Sequence, residues 1–271
     1  MSHVFIIGNG FDLNLGLETS YKDFIASSFF TRNLGENGLS LFNHLNEVNK
    51  SNWIDIEKEL AIYSKQGIGN QDFLNEYEKL CDELKLYIKS IELKNVDHKA
   101  HAYHVLEKND WRDDFIILNF NYTNSVSFIL SMLDVPKQVI KDSVIHVHGS
   151  AESDEIIFGV DDGSRIDDDH SFLRKSTSSI YSGRQVRKAL KNFKTLSIFG
   201  HSLGESDHMY LSFFSDITHN FMRESPDKTI NLYHYGQDAK YSLFKQLHIL
   251  TQRGTGTLKD NIEFNEIDVK K

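Results

Sequence analysis

The chain has 271 residues, 39% of them hydrophobic and 25% charged, which is enough for one sizeable core, and no apolar run approaches the ~18 residues that cross a bilayer. A formal net charge of −9 works against broad attraction to nucleic acid or an anionic membrane. Cys81 is the lone cysteine, so an internal disulfide framework and a cysteine-based zinc module are both excluded. "MSHVFIIGNG" enters a strand at once without the pattern of a secretory leader, and the expected setting is the cytoplasm.

"HVFIIG" is a short β-branched run closed by a glycine, the pattern of a buried strand in a parallel sheet. From about Ser20 to Asn109 the chain then reads as almost wholly helical. "SYKDFIASSFF", "WIDIEKELAIY" and "DFLNEYEKLCDELKLYIKSIEL" place apolar residues at three- and four-residue intervals. Strands resume at "DFIILNF" (114–120) and "SVIHVHG" (143–149), with "EIIFGV" (155–160) as a further candidate. Residues 159–183, rich in Gly, Ser and Asp, read as a long surface loop. "TLSIFG" (195–200) and "TINLYHYG" (229–236) complete the set of strands. Helical patterns follow several of them, which predicts a single α/β domain over 1–271. Its expected form is a Rossmann-like parallel sheet with helices on both faces and a large helical insertion after the first strand, at about 20–109.

Ligands of such sheets bind beyond the carboxyl ends of the strands, so the residues just after each strand are the candidates. "GNGFD" puts Gly8, Asn9 and Gly10 at the first turn, where missing side chains permit close approach of a phosphate or sugar. Asp12 follows, suited to ribose hydroxyls, to a cationic centre or to capping the turn. In "NFNYT", Asn119 and Asn121 share one face of an extended chain, and two amides there can fix a sugar, a water or the turn itself. "HVHG" repeats the spacing with His146 and His148 before Gly149, and His148 is the better placed proton acceptor. His146 reads as a core histidine. An H-x-H pair also raises a metal, yet no third ligand is fixed by the spacing and none is expected. His98, His101 and His104 in "DHKAHAYH", and the cations of "RQVRKALKNFK", read as solvated helix faces.

"IFGHSLGESD" (198–207) has two readings. Gly200, His201, Ser202, Leu203 and Gly204 spell the G-x-S-x-G of a nucleophile elbow, which needs an acid and then a histidine later in the chain. Asp216, Asp227 and Asp238, with His219, His234 and His248, are the partners left. The other reading is a loop that cradles a nucleotide with Gly200, His201, Ser202 and Asp207, and it gives the other three strand-end motifs a common purpose.

These motifs in this order, with "LGLETSYKDFI" and "WIDIE", resemble the AbiH family of bacterial abortive-infection proteins. More distantly the order is similar to sirtuin-type NAD-binding domains. That resemblance implies a catalytic histidine at His148 and a catalytic asparagine at Asn121. It also implies nucleotide contacts at Gly8, Gly10, Gly200 and Ser202. Asn119 and Thr123 stand where the sirtuin pattern has threonine and aspartate, and the four-cysteine zinc module has no counterpart.

The expected function is therefore hydrolysis of NAD to nicotinamide and ADP-ribose during phage infection. His148, Asn121 and Asp12 would be the catalytic group. Gly8, Asn9, Gly10, Asn119, Thr123, Gly149, Gly200, His201, Ser202 and Asp207 would contact the nucleotide. NAD or a related adenine nucleotide, as substrate, and a phage-derived trigger are the expected partners, and the chain leaves room for a homo-oligomer. Two alternatives stay open: a serine hydrolase using Ser202, and a non-catalytic adenine-nucleotide sensor.

Overall fold

The computed structural model describes residues 3–35, 40–51, 55–111, 114–220 and 228–270. Trp53 and Ile54 of "WIDIE", and Asp227, lie outside the described residues. The strands are β1 (His3–Ile7), β2 (Phe115–Asn119), β3 (Val144–His146), β4 (Gly149–Ser150), β5 (Glu155–Ile156), β6 (Thr195–Phe199), β7 (Thr229–His234) and β8 (Glu263–Asp268). Six of them form a parallel sheet in the order β3-β2-β1-β6-β7-β8. From β1 the chain moves outward to β2 and β3, returns to β6 on the other flank of β1, and continues to β7 and β8. The direction of winding therefore reverses between β1 and β6, where doubly wound folds open a crevice.

The helices, in chain order, are α1 (Asn9–Asn14), α2 (Tyr21–Ala26), α3 (Ser28–Thr31), α4 (Ser40–Ser51), α5 (Ile56–Tyr63), α6 (Asn70–Lys89), α7 (His101–Glu107), α8 (Ser125–Met132), α9 (Lys137–Ser143), α10 (Gly183–Lys191), α11 (Phe213–Asn220), α12 (Gly236–Leu250) and α13 (Thr255–Asn261). Alternation along the strands divides the core. Val4, Ile6, Leu196, Ile198, Ile230 and Leu232 face one side, with Val186, Leu190, Phe214 and Leu247 of the later helices. Phe5, Ile7, Ile117 and Phe199 face the other, with Phe11, Leu106, Val126 and Ile129. Each face is thus sealed by its own set of helices.

A third core lies apart from the sheet. Phe24, Phe30, Phe42, Leu60, Phe73, Leu80 and Leu84 of α2–α6 pack on one another and on Phe158, Val160 and Leu173. Ser20 starts this layer with a reciprocal capping box, its hydroxyl accepting from the Asp23 amide while the Asp23 carboxylate accepts from Ser20. The independently packed helical layer ends near Lys89, because Ala102, Tyr103 and Leu106 of α7 join the sheet-face core and make α7 a crossover helix into β2. No described helix is long and apolar enough to cross a membrane.

Two sequence expectations change. "EIIFGV" supplies only the two-residue β5, which pairs antiparallel with β4 outside the main sheet. The sixth sheet strand is β8, in "EFNEID". Its apolar residues are just Phe264 and Ile267, since an edge strand need not bury both faces, and a search for continuous apolar runs passes over it. The 159–183 segment is also no simple surface loop. His170, Leu173 and Lys175 within it are buried, two short 3-10 turns (Asp168–Leu173 and Lys175–Thr177) shape it, and Val160 bridges to Arg174.

Candidate functional site

The loops after β1 and β6 meet over the winding reversal. The Gly8 amide donates to the Phe199 carbonyl at 3.0 Å, and the Gly10 amide to the Gly200 carbonyl at 2.8 Å. A β-carbon on Gly8 would stand 2.6 Å from His201 Cα, and one on Gly200 would stand 2.1 Å from the Phe11 amide nitrogen. Gly200 also sits at φ +69°, in the left-handed region. These glycines bring two backbones into contact and form the floor of the edge. Asn9 stands exposed above it, its side-chain oxygen accepting from the Thr19 hydroxyl at 2.5 Å.

On one side of this floor lies Asp12, fully buried on α1. The Ser125 hydroxyl donates to its Oδ1 at 2.5 Å and the Thr123 hydroxyl to its Oδ2 at 2.6 Å. Among the described residues no cation contacts it, and burial pushes its pKa up to about 6 against the pull of its hydrogen bonds. Asn119 braces the same turn: its carboxamide oxygen accepts from the Asn121 amide at 3.1 Å, and its nitrogen donates to the Thr123 carbonyl at 3.3 Å. Asn121 is only 5% exposed, and its carboxamide lies beside Asp12, where its N–H helps to hold the Asp12 pKa down without a well-aligned hydrogen bond.

On the other side lies a chain of charges that the sequence did not announce. Lys175, 1% exposed, donates to Asp207 Oδ1 at 2.8 Å and to Glu57 Oε2 at 3.1 Å. His148 Nε2 stands 3.0 Å from Asp207 Oδ1, and His201 Nε2 3.3 Å from Oδ2. Both imidazoles flank the Phe120 ring, at 5.1 and 4.3 Å between centroids. Both histidine contacts have ion-pair distance, yet neither N–H points along the line to oxygen, so neither counts as a formed hydrogen bond. Burial would raise Asp207, but Lys175 and the histidines outweigh it and hold its carboxyl well below the usual range. Burial, and then Lys175, lower His148, which is therefore a neutral imidazole at pH 7. Glu57, far from water, is pushed up to about 7 in spite of Lys175.

Of the residues expected from sequence, Asp12, Asn119, Asn121 and Thr123 thus form one hydrogen-bonded group, and His148, His201 and Asp207 form another. Thr123 is a brace for Asp12. Gly149, at φ +73°, lets β4 approach the Glu155 carbonyl, where a β-carbon would stand 2.1 Å away. His146 is half-buried, with Nδ1 3.5 Å from the Asn119 amide nitrogen. Ser202 is exposed and its hydroxyl accepts from the Gly204 amide at 3.2 Å; no hydrogen bond joins it to a described histidine. The left-handed residues of that turn are Gly200 and Leu203 (φ +54°), not the serine, as a nucleophile elbow would require. His101 and His104 line, with Lys108, a separate cleft of about 350 Å³ over His3, Ser197 and Asn231. Its sheet-side polar groups bond to one another, His3 Nε2 to the Ser197 hydroxyl and the Asn231 amide to the same oxygen. The cations of α10 are exposed, as expected of a solvated face.

Sequence reasoning missed Lys175 and Glu57. Lys175 stands in a Ser- and Asp-rich stretch with no local motif around it, whereas Glu57 closes the "WIDIE" stretch quoted for the family resemblance. The Glu57 carboxylate is presented from the first turn of α5, where Asp55 caps the Lys58 amide. Lys175 consequently ties the helical layer to the sheet edge.

A Rossmann-like α/β sheet with buried histidine, asparagine and carboxylate groups at its ligand edge defines the class of protein. The particular family follows from comparison: the profile of the AbiH family, described as bacteriophage abortive infection AbiH, matches residues 4–232, and the chain belongs to that family. No curated protein matches it.

Proposed function

We propose that the protein hydrolyses NAD at the bond between nicotinamide and ribose, so that the cofactor is depleted in phage-infected cells. The observation that carries this reading is the buried Asn121 carboxamide beside Asp12, on the same sheet edge as the buried, neutral imidazole of His148. Nicotinamide in NAD is already a cationic leaving group. The site has to hold the ribose, stabilise an oxocarbenium-like transition state and deliver water. His148 accepts the proton from water or a ribose hydroxyl, Asn121 orients the sugar, and Asp12 lends negative potential. The two loops that these glycines join would flank the dinucleotide, with Asn9 and Ser202 exposed on them.

The reading is tested by incubating the purified protein with NAD, with and without phage lysate, and following nicotinamide release. Release is expected to fall by about 100-fold or more in His148→Ala and in Asn121→Ala, the range for removing an acid–base group. Release that persists in both variants removes the site assignment. Binding of an adenine nucleotide with no turnover under any trigger replaces the enzyme with a sensor.

A further inference from the structure

Two histidines face one carboxylate, and their other nitrogens differ. His201 Nδ1 accepts a hydrogen bond from the Leu203 amide at 3.0 Å. A backbone N–H can only donate, so Nδ1 carries a lone pair and the neutral ring keeps its proton on Nε2, 3.3 Å from Asp207 Oδ2. His201 is thereby engaged at Nδ1, with Nε2 turned towards the carboxylate. His148 presents the same Nε2 to Asp207 Oδ1 at 3.0 Å, and among the described residues no hydrogen bond engages its Nδ1. An ionised carboxylate only accepts, so a neutral His148 must bear its proton on the nitrogen that faces it. The lone pair is then on Nδ1.

We propose that Asp207 is the positioning residue of an Asp–His dyad in which Nδ1 of His148 is the base, while Lys175 holds Asp207 in place and His201 flanks its second oxygen. This rests on the NAD-hydrolysis reading for the reaction that the base serves, but the dyad itself is a statement about which nitrogen carries the proton. Carboxylate partners fix tautomer and ring orientation in this way, and stabilise the imidazolium once the proton is taken. In the step itself a water gives its proton to Nδ1 as its oxygen forms the new C–O bond to the ribose, nicotinamide leaves with the electrons of the C–N bond, and the imidazolium proton returns to solvent. Catalytic hydrogen bonds in ligand-free proteins are often poorly aligned and tighten on binding, which fits the off-line Nε2–H of His148.

The test is nitrogen-15 NMR of the histidine side chains in the full-length protein at pH 7, with His148→Gln used to assign the signal. Wild-type His148 should be neutral with its proton on Nε2. In Asp207→Leu no acceptor is left opposite Nε2, and the proton should populate Nδ1 as well. On NAD, Asp207→Leu should lower kcat by about 100-fold or more while KM changes by less than about threefold, as for a tautomer loss in a triad. A wild-type His148 protonated on Nδ1, or NAD hydrolysis with an unaltered kcat in a folded Asp207→Leu protein, overturns the dyad and leaves the NAD reading standing. The predicted tautomers in a protein that never cleaves NAD support the dyad and overturn that reading. Since the wild-type tautomer needs no variant, poor folding of Asp207→Leu does not remove the test.

Discussion

Asp12 and Asp207 are buried carboxylates on the same sheet edge, and their surroundings drive them in opposite directions. Asp12 has neutral partners, the Ser125 and Thr123 hydroxyls and the Asn121 carboxamide, and its pKa rises to about 6 because they do not offset the loss of water. Asp207 has an ammonium and two imidazoles, and stays ionised far into acid. What separates them is the type of partner and not the depth of burial. Paired groups with divergent proton affinity are a recurrent way for one site to hold both an acid and a fixed charge at neutral pH. Here the fixed charge belongs to the side that carries the histidines.

The largest expected effect breaks the Asp207 side. Lys175→Met removes the cation shared by two buried carboxylates and should cost about 3–5 kcal/mol in urea unfolding at pH 7, the range for stranding a buried charge. The loss should be smaller near pH 5, where Glu57, with its pKa of about 7, is neutral. An equal loss at both pH values would mean that Glu57 does not share the charge.

On the Asp12 side the expected effect is a slope. An acid whose folded pKa lies above its unfolded value retains its proton longer in the native state, so its contribution to stability falls as pH rises from about 4 through about 6. Two units correspond to about 3 kcal/mol. The stability of wild type relative to Asp12→Asn should therefore decline by about 2 kcal/mol of that between pH 4.5 and 7.5, measured by chemical denaturation in matched buffers. Asp207 tilts the curve the other way, since its contribution is present above about pH 4 and is lost as pH falls towards its depressed folded value. A difference between wild type and Asp12→Asn that is flat with pH would mean the two carboxylates are not distinguished in this way.

Gly200→Ala addresses the seam between the two sides. A β-carbon at φ +69° and 2.1 Å from the Phe11 amide should cost about 2 kcal/mol of unfolding free energy, and a tolerated alanine would show that the loops do not press together. The smallest effect belongs to neither side. Ser202→Ala removes an exposed hydroxyl that accepts one amide hydrogen bond, and should change stability by no more than about 0.5 kcal/mol. Wild-type protein should take up no fluorophosphonate label, and labelling lost in Ser202→Ala would reinstate the serine reading.

Periodicity and strand-end glycines made five of the six sheet strands, the helical layer and the Asp12–Asn121–His148 residues legible, because burial on both faces and tight turns restrict composition locally. "EFNEID" escaped because an edge strand tolerates polar residues on its open side. Lys175 escaped because its environment comes from α5 and the Glu205–Tyr210 turn, both distant in sequence.

The amino-acid order alone settled that the chain builds a parallel α/β sheet and that polar groups gather where its strands end, since side-chain alternation and turn chemistry act between near neighbours. Tertiary structure decided that Gly8, Gly10 and Gly200 serve to join two loops, that Asp207 lies against an ammonium and two imidazoles at once, and that His148 turns Nε2 towards that carboxylate. Those outcomes depend on atoms brought within about 3 Å from four separate segments, where hydrogen-bond and Coulomb energies vary too steeply with distance to be inferred from order along a chain.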